Sequence, residues 1–208
     1  MRVKICGVTR LEDAVLAAEL GAWAVGMVFA SQSRRRANVT EAEAIGAALR
    51  RRVELAGVFV NDPLERVTEI AERAGLTLVQ LHGEEGPAFC AEVARRTGAR
   101  VIKAASVHGA FTIRELGRFH TDFHLLDGGA PGQRGGTGTP FDWSLVRARR
   151  SNIPLIVGGG LDAQNVAEAV EALHPYAVDV ASGVEAAAGI KDPELVRAFL
   201  DAAAAVTV

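Results

Sequence analysis

Arg2-Val3-Lys4-Ile5-Cys6, then Gly7-Val8-Thr9-Arg10, then Leu11-Glu12-Asp13-Ala14-Val15-Leu16-Ala17-Ala18-Glu19-Leu20, is the stretch whose reading decides the architecture. The first part is a short β-rich apolar run and the last has the apolar spacing of an amphipathic helix, so the whole reads as one strand–turn–helix unit. An open dinucleotide-binding sheet would carry Gly-x-Gly-x-x-Gly at this first turn. Cys6-Gly7-Val8-Thr9 stands there instead. The same unit then repeats: strands are predicted over residues 2–6, 23–29, 53–59, 77–81, 100–104, 123–127, 153–157 and 177–180. Helical stretches follow from Leu11 and from near Glu41, Pro63, Gly86, Thr112, Phe141, Asp162 and Asp192. Pro63 and Pro193 suit first-turn positions, with Asp62 and Asp192 as caps. Strict alternation implies parallel strands joined by right-handed crossovers, and eight repeats favour closure. The expected fold is α/β, a single parallel (β/α)8 TIM barrel, with residues 1–208 forming one domain.

The 208 residues are 49% hydrophobic and 23% charged, as expected of a globular chain with a sizeable core. A net charge of -2 and a pI near 6.2 leave no broad basic surface for nucleic acid or an anionic membrane. An anionic ligand must be held locally. The apolar runs are strand-length and the N-terminus leads straight into a strand without a signal-peptide pattern, so a cytoplasmic protein outside the membrane is expected. Cys6 and Cys90 are too few for a disulfide framework. No His or carboxylate pair has convincing ligand spacing, so no metal is expected.

In a barrel the ligand face is formed by the carboxyl ends of the strands and the loops that follow them. Val3-Lys4-Ile5-Cys6, Gln80-Leu81-His82, Leu125-Leu126-Asp127 and Val178-Asp179 bring reactive groups to that end. The strand period places Lys4 with Cys6, and Gln80 with His82, on common inward faces. A buried lysine needs a partner, and closure makes strand eight the neighbour of strand one, so Asp179 is the candidate for Lys4. Cys90, on a helix, reads as an inert small hydrophobe, whereas Cys6 ends a strand before a glycine with a lysine at hand. Asp127 could merely cap a turn, yet it closes an apolar run at the ligand end. His124 alternates with Asp127 and faces the helices. His108, His120 and His174 carry no signal. The Gly-rich segment 128–138 could close over a ligand.

Two loops point to phosphate. Gly158-Gly159-Gly160-Leu161-Asp162 follows strand seven and Ser182-Gly183-Val184-Glu185 follows strand eight. Glycines let backbone amides approach an anion, helix N-termini add favourable dipole ends, and this pair of loops is the recurring phosphate position of such barrels. One loop alone would read as a tight turn; both together favour a small phosphorylated ligand.

The strings Val3-Lys4-Ile5-Cys6-Gly7-Val8-Thr9, Val79-Gln80-Leu81-His82-Gly83, Gly135-Gly136-Thr137-Gly138, Phe141-Asp142-Trp143, Gly159-Gly160-Leu161 and Asp179-Val180-Ala181-Ser182-Gly183-Val184-Glu185 resemble phosphoribosylanthranilate isomerase from end to end. Lys191-Asp192 also falls where that family has Lys-Asp. The resemblance implies an Amadori rearrangement of N-(5-phosphoribosyl)anthranilate in tryptophan biosynthesis, without a cofactor. It implies Asp127 as general acid and Cys6 as general base, Arg35 as holder of the anthranilate carboxylate, and Asp179 near the substrate amine. His82, Gly159, Gly160, Ser182 and Gly183 complete the implied binding set. For that chemistry Asp127 must keep its proton near neutral pH and Cys6 must be a thiolate. Arg34, Arg35 and Arg36 adjoin, so the carboxylate role could fall to any of them. The family's aromatic residue after this arginine is replaced by Arg36, and Thr139 stands where some members carry a charge.

Three other readings are weighed. The histidine-pathway isomerase performs the same rearrangement but has aspartate where Cys6 stands and shows half-barrel repetition that this chain lacks. A ribulose-phosphate epimerase would need metal-binding His and Asp that are missing here. A non-catalytic phosphate-binding barrel would tolerate loss of Cys6 or Asp127, and both are present. The assembly expected is a monomer or a homodimer.

Overall fold

The computed structural model describes residues 1–128 and 142–206. Eight parallel strands close into a barrel in sequence order: β1 Arg2–Cys6, β2 Ala24–Val28, β3 Glu54–Phe59, β4 Leu78–Leu81, β5 Arg100–Ser106, β6 Phe123–Asp127, β7 Leu155–Val157 and β8 Ala177–Val180. The fold expected from the sequence is therefore the fold observed. Closure occurs between β1 and β8, with Lys4 in register with Asp179.

Around the barrel lie α1 Leu11–Glu19, α2 Val39–Leu49, α3 Leu64–Ala74, α4 Pro87–Thr97, α5 Ala110–Leu116, α6 Val166–Leu173 and α7 Pro193–Ala204. Between α5 and α6 stands a 3-10 helix, Trp143–Ala148, whose cap Asp142 accepts from Ser144 N at 2.9 Å. The helix expected from Phe141 begins at a residue outside the described set. Asp192 caps α7 by accepting from Glu194 N and Leu195 N at 2.8 and 3.1 Å, with Pro193 in the first turn. Pro63 differs from expectation. It is the extended cap residue of α3, and Asp62 pairs with Arg66 at 2.9 Å instead of capping. Strand β7 begins at Leu155 because Pro154 has no N–H to give the ladder, although its carbonyl accepts from His124 N at 3.0 Å. A small antiparallel hairpin, β9 Glu185–Ala187 with β10 Ile190–Lys191, follows β8 and was not expected.

The strand period sorts the side chains into two cores. Ala24, Ala56, Leu78, Ile102, Phe123, Leu125, Ile156 and Ala177 fill the lower barrel interior. Leucines, valines and isoleucines of the alternate positions pack under the helices. His124 belongs to this outer side, its Nε2 lying 2.8 Å from Phe119 O. Trp23 seals the amino-terminal end against Phe123 and Tyr176, with ring centroids 5.9 and 5.6 Å apart. Above the apolar layers the interior turns polar, with Lys4, Gln80 and Asp179, and then Cys6 and Asp127 at the strand ends.

Helices α2 and α3 meet at Gly46, where a Cβ would lie 2.1 Å from Ala74 O. Backbone cannot yield there as a flexible side chain would, so Gly46→Ala is expected to destabilise the protein by about 1–3 kcal/mol. Urea unfolding of the variant beside the parent checks this.

Candidate active site

A cavity of about 640 Å³ opens at the carboxyl ends of the strands, a volume suited to a small organic ligand. Cys6, His82, Asp127 and Asp179 line its floor, Arg34 and Arg35 one wall, and Gly159, Gly160 and Ser182 the other. The residues picked out by sequence thus converge, with one exception. Gly183 is outside the lining; a Cβ there would come 2.1 Å from Leu161 O. Its lack of a side chain lets the β8 loop close against the β7 loop, which is a packing role.

Lys4 is wholly buried and donates from Nζ to Asp179 Oδ1 at 2.7 Å. The pairing expected from closure is therefore present, and Asp179 holds the lysine firmly in its charged form despite burial. Asp127, 7% exposed, has no such cation of its own among the described residues. Burial, reinforced by the negative charge of Asp179, pushes its carboxyl up to about 7. That is the range a general acid needs at neutral pH.

The thiol departs from expectation. Burial pushes Cys6 up, and this outweighs the downward pull of Lys4. The cation the sequence called for is there, but Asp179 already compensates it and itself opposes a second anion. Gly26, the register partner of Cys6 on β2, makes the close packing possible: a Cβ there would lie 2.9 Å from Cys6 Sγ and 3.1 Å from Lys4 Nζ. Cys90, 2% exposed on α4, is pushed up to about 11 by burial, in keeping with an inert thiol.

His82 follows β4. Gln80 Nε2 lies 3.2 Å from its Nδ1, and its Nε2 lies 3.6 Å from Asp127 Oδ2. Burial pushes the imidazole down to about 4, so at neutral pH it is an uncharged neighbour of the aspartate. In that state it leaves Asp127's proton affinity governed by burial.

Arg35 crosses over Gly7. That glycine has φ of +75°, and a Cβ on it would lie 2.6 Å from Arg35 Cδ. The guanidinium donates from Nε and Nη2 to both oxygens of Glu185 at 2.8–3.0 Å. Arg34 and Arg36 are exposed, and Arg34 also reaches the cavity wall.

On the opposite wall Gly159 and Gly160 have φ of +84° and +70°. At Gly159 a Cβ would fall 1.9 Å from Gly128 N and 2.9 Å from Asp127 Oδ1, so glycine is needed for the loop to lie against the aspartate. The helix expected directly after this loop starts later, at Val166. Asp162 and Asn165 first form a turn, with Asn165 Nδ2 donating to Gly160 O at 2.8 Å. After β8 the backbone makes a 3-10 turn over Ser182–Val184.

Sequence reasoning left Gly26, Glu185 and Lys191 without roles. Glu185 and Lys191 lay inside quoted motifs, which was the available signal, but their contacts span the whole chain. Lys103, on β5, is a second lysine within a strand. It faces outward and pairs with buried Glu85 at 2.8 Å. Among the described residues, no cluster of three or more His, Cys, Asp or Glu is arranged to hold a metal. The segment 128–138 suggested as a closing loop, the Gly135–Gly138 motif and Thr139 lie outside the described residues, apart from Gly128.

Comparison with known proteins gives one consistent result. The family described as PRAI, N-(5'phosphoribosyl)anthranilate (PRA) isomerase, matches residues 3–202. The N-(5'-phosphoribosyl)anthranilate isomerase of Geobacter metallireducens is 46% identical over 200 residues, 96% of this chain and 97% of that protein. The crystal structure of phosphoribosyl anthranilate isomerase from Thermus thermophilus superposes with a TM-score of 0.88 at 43% identity, covering 98% of each chain. A structure of the enzyme in complex with reduced 1-(o-carboxyphenylamino)-1-deoxyribulose 5-phosphate superposes with a TM-score of 0.84 at 38% identity, over 99% of this chain and 100% of that one.

Proposed function

The chain belongs to the N-(5'-phosphoribosyl)anthranilate isomerase family, and on that premise we propose that Asp127 and Cys6 are its acid–base pair. The reaction is the Amadori rearrangement of N-(5-phosphoribosyl)anthranilate to 1-(2-carboxyphenylamino)-1-deoxyribulose 5-phosphate in tryptophan biosynthesis. The observation that carries the residue assignment is that a buried carboxyl raised to about 7 shares one cavity with a buried thiol.

Asp127 gives its proton to the furanose ring oxygen as the bond from that oxygen to the anomeric carbon breaks. The nitrogen lone pair completes a protonated Schiff base. The Cys6 thiolate then removes the proton from the adjacent sugar carbon, leaving an enolamine that tautomerises to the ketose. Asp179, anchored by Lys4, places a negative charge where the cationic nitrogen forms. That developing cation also favours the thiolate, which burial alone disfavours. Arg35 meets the anthranilate carboxylate, and the backbone and Ser182 of the opposite wall take the phosphate, with His82 beside the sugar. The neutral histidine leaves Asp127 as the proton donor. We assign the activity to one barrel domain of residues 1–208 working in the cytoplasm; no helix of the described residues is long and apolar enough to cross a membrane.

The test is the loss of anthranilate fluorescence when the purified protein meets freshly formed phosphoribosylanthranilate. Rapid loss is expected. A silent protein that turned over the histidine-pathway substrate, or neither substrate, would overturn the reading.

A further inference from the structure

Behind Arg35 lies a buried ion cluster that the reaction as described does not use. Glu185, its side chain 5% exposed, accepts from Arg35 and also from Lys191 Nζ at 2.9 Å and Gly189 N at 3.2 Å. Lys191, 2% exposed, spends its other two donors on Cys6 O at 2.6 Å and Ala181 O at 3.0 Å. The β9–β10 hairpin that carries both residues is fastened to the β1 loop by Thr9 Oγ1, which donates to Gly189 O at 2.7 Å. Among the described residues the cavity lining includes Arg35 but neither Glu185 nor Lys191.

Two features of this cluster point to a ligand. Two cations share one carboxylate, so it carries one net positive charge that a ligand carboxylate would balance. A guanidinium also has two donor forks, one along its side through Nε and Nη2 and one at its end through both terminal nitrogens. Glu185 takes the side fork. Stability alone does not account for such an arrangement, since buried ion pairs contribute little net stabilisation.

We propose that Glu185 is the positioning residue for carboxylate recognition: it grips the side fork of Arg35 so that the end fork is presented to the substrate's carboxylate, and Lys191 holds Glu185 in place. Because Lys191 also grips the carbonyls of Cys6 and Ala181, the same ammonium ties this arginine to the base and to the loop after β8. The proposal rests on the reading of Arg35 as the carboxylate receptor.

The experiment is calorimetric titration of the whole protein with two ligands, reduced 1-(o-carboxyphenylamino)-1-deoxyribulose 5-phosphate and its counterpart lacking the ring carboxylate. Wild type, Arg35→Met, Glu185→Gln and Lys191→Met are compared, with the carboxylate-free ligand reporting an intact fold and phosphate site. Wild type is expected to prefer the carboxylate by tenfold or more, and Glu185→Gln to lose about tenfold of that preference while binding the second ligand as before. Lys191→Met is expected to shift in the same direction. If Arg35→Met loses the preference and Glu185→Gln keeps or strengthens it, the proposal is wrong and the reading of Arg35 stands. If Arg35→Met keeps the preference, both fall. Equal weakening of both ligands in Glu185→Gln would make its role merely structural and overturn the proposal.

Discussion

Asp127→Asn is expected to lower kcat/KM by about 10²- to 10⁴-fold, the usual worth of a positioned general acid. Asparagine keeps the size and polarity of the protonated acid but has no proton to give at this potency. Stability should move the other way. A carboxyl whose pKa is raised by folding binds its proton more tightly in the folded chain, so its ionisation costs stability as pH rises. The cost is absent below the unfolded value of about 3.9 and fully present once pH passes about 7. Asparagine removes it, so at pH 8 the variant should melt at a higher temperature than the parent, and at pH 4 at a similar one. Scanning calorimetry at the two pH values, beside the fluorescence assay, separates a catalytic defect from a folding defect.

Cys6→Ala is expected to lose activity on the same scale, because no other described residue lining the floor of the cavity is placed to act as the base: Asp179 is committed to Lys4, and His82 is a weak base near 4. The raised thiol adds a signature. The productive state pairs a protonated Asp127 with an ionised Cys6, although the aspartate is the stronger acid of the two. That state is a minority at every pH, and kcat/KM should trace a bell whose rising limb lies near 7 and whose falling limb lies in the thiol range, the two values belonging to the pair. A profile already flat below pH 6 would be incompatible with this pairing. Iodoacetamide should modify Cys6, which borders the open cavity, before the enclosed Cys90, and ligand should protect it.

Much of this arrangement is legible in the sequence because it follows from periods. Alternation of strands and helices gives the barrel, closure gives Lys4–Asp179, and the period of two gives the inward facing of Cys6 and Asp127. What is not legible depends on competition between terms of similar size or on contacts across the chain. Lys4 beside Cys6 suggests a thiolate, yet only the coordinates show that burial of the thiol outweighs the pull of a cation paired with Asp179. Gly26 looks like any glycine in a strand until its register with Cys6 is known. The β9–β10 hairpin is too short to carry a period, so the meeting of Arg35, Glu185 and Lys191 could not be read from it. The close approach of Gly183 to Leu161 O, between the loops after β8 and β7, is likewise visible only in the coordinates.

The central claim is that this cavity keeps a carboxyl protonated at neutral pH for ring opening. Carbon-13 NMR titration of the protein labelled at aspartate side-chain carboxyls, with Asp127→Asn used to assign the resonance, tests it most directly. Asp127 is expected to titrate near 7. Titration near the ordinary aspartate value of about 3.9 would mean that Asp127 is a carboxylate throughout the working range and that the acid of the reaction lies elsewhere.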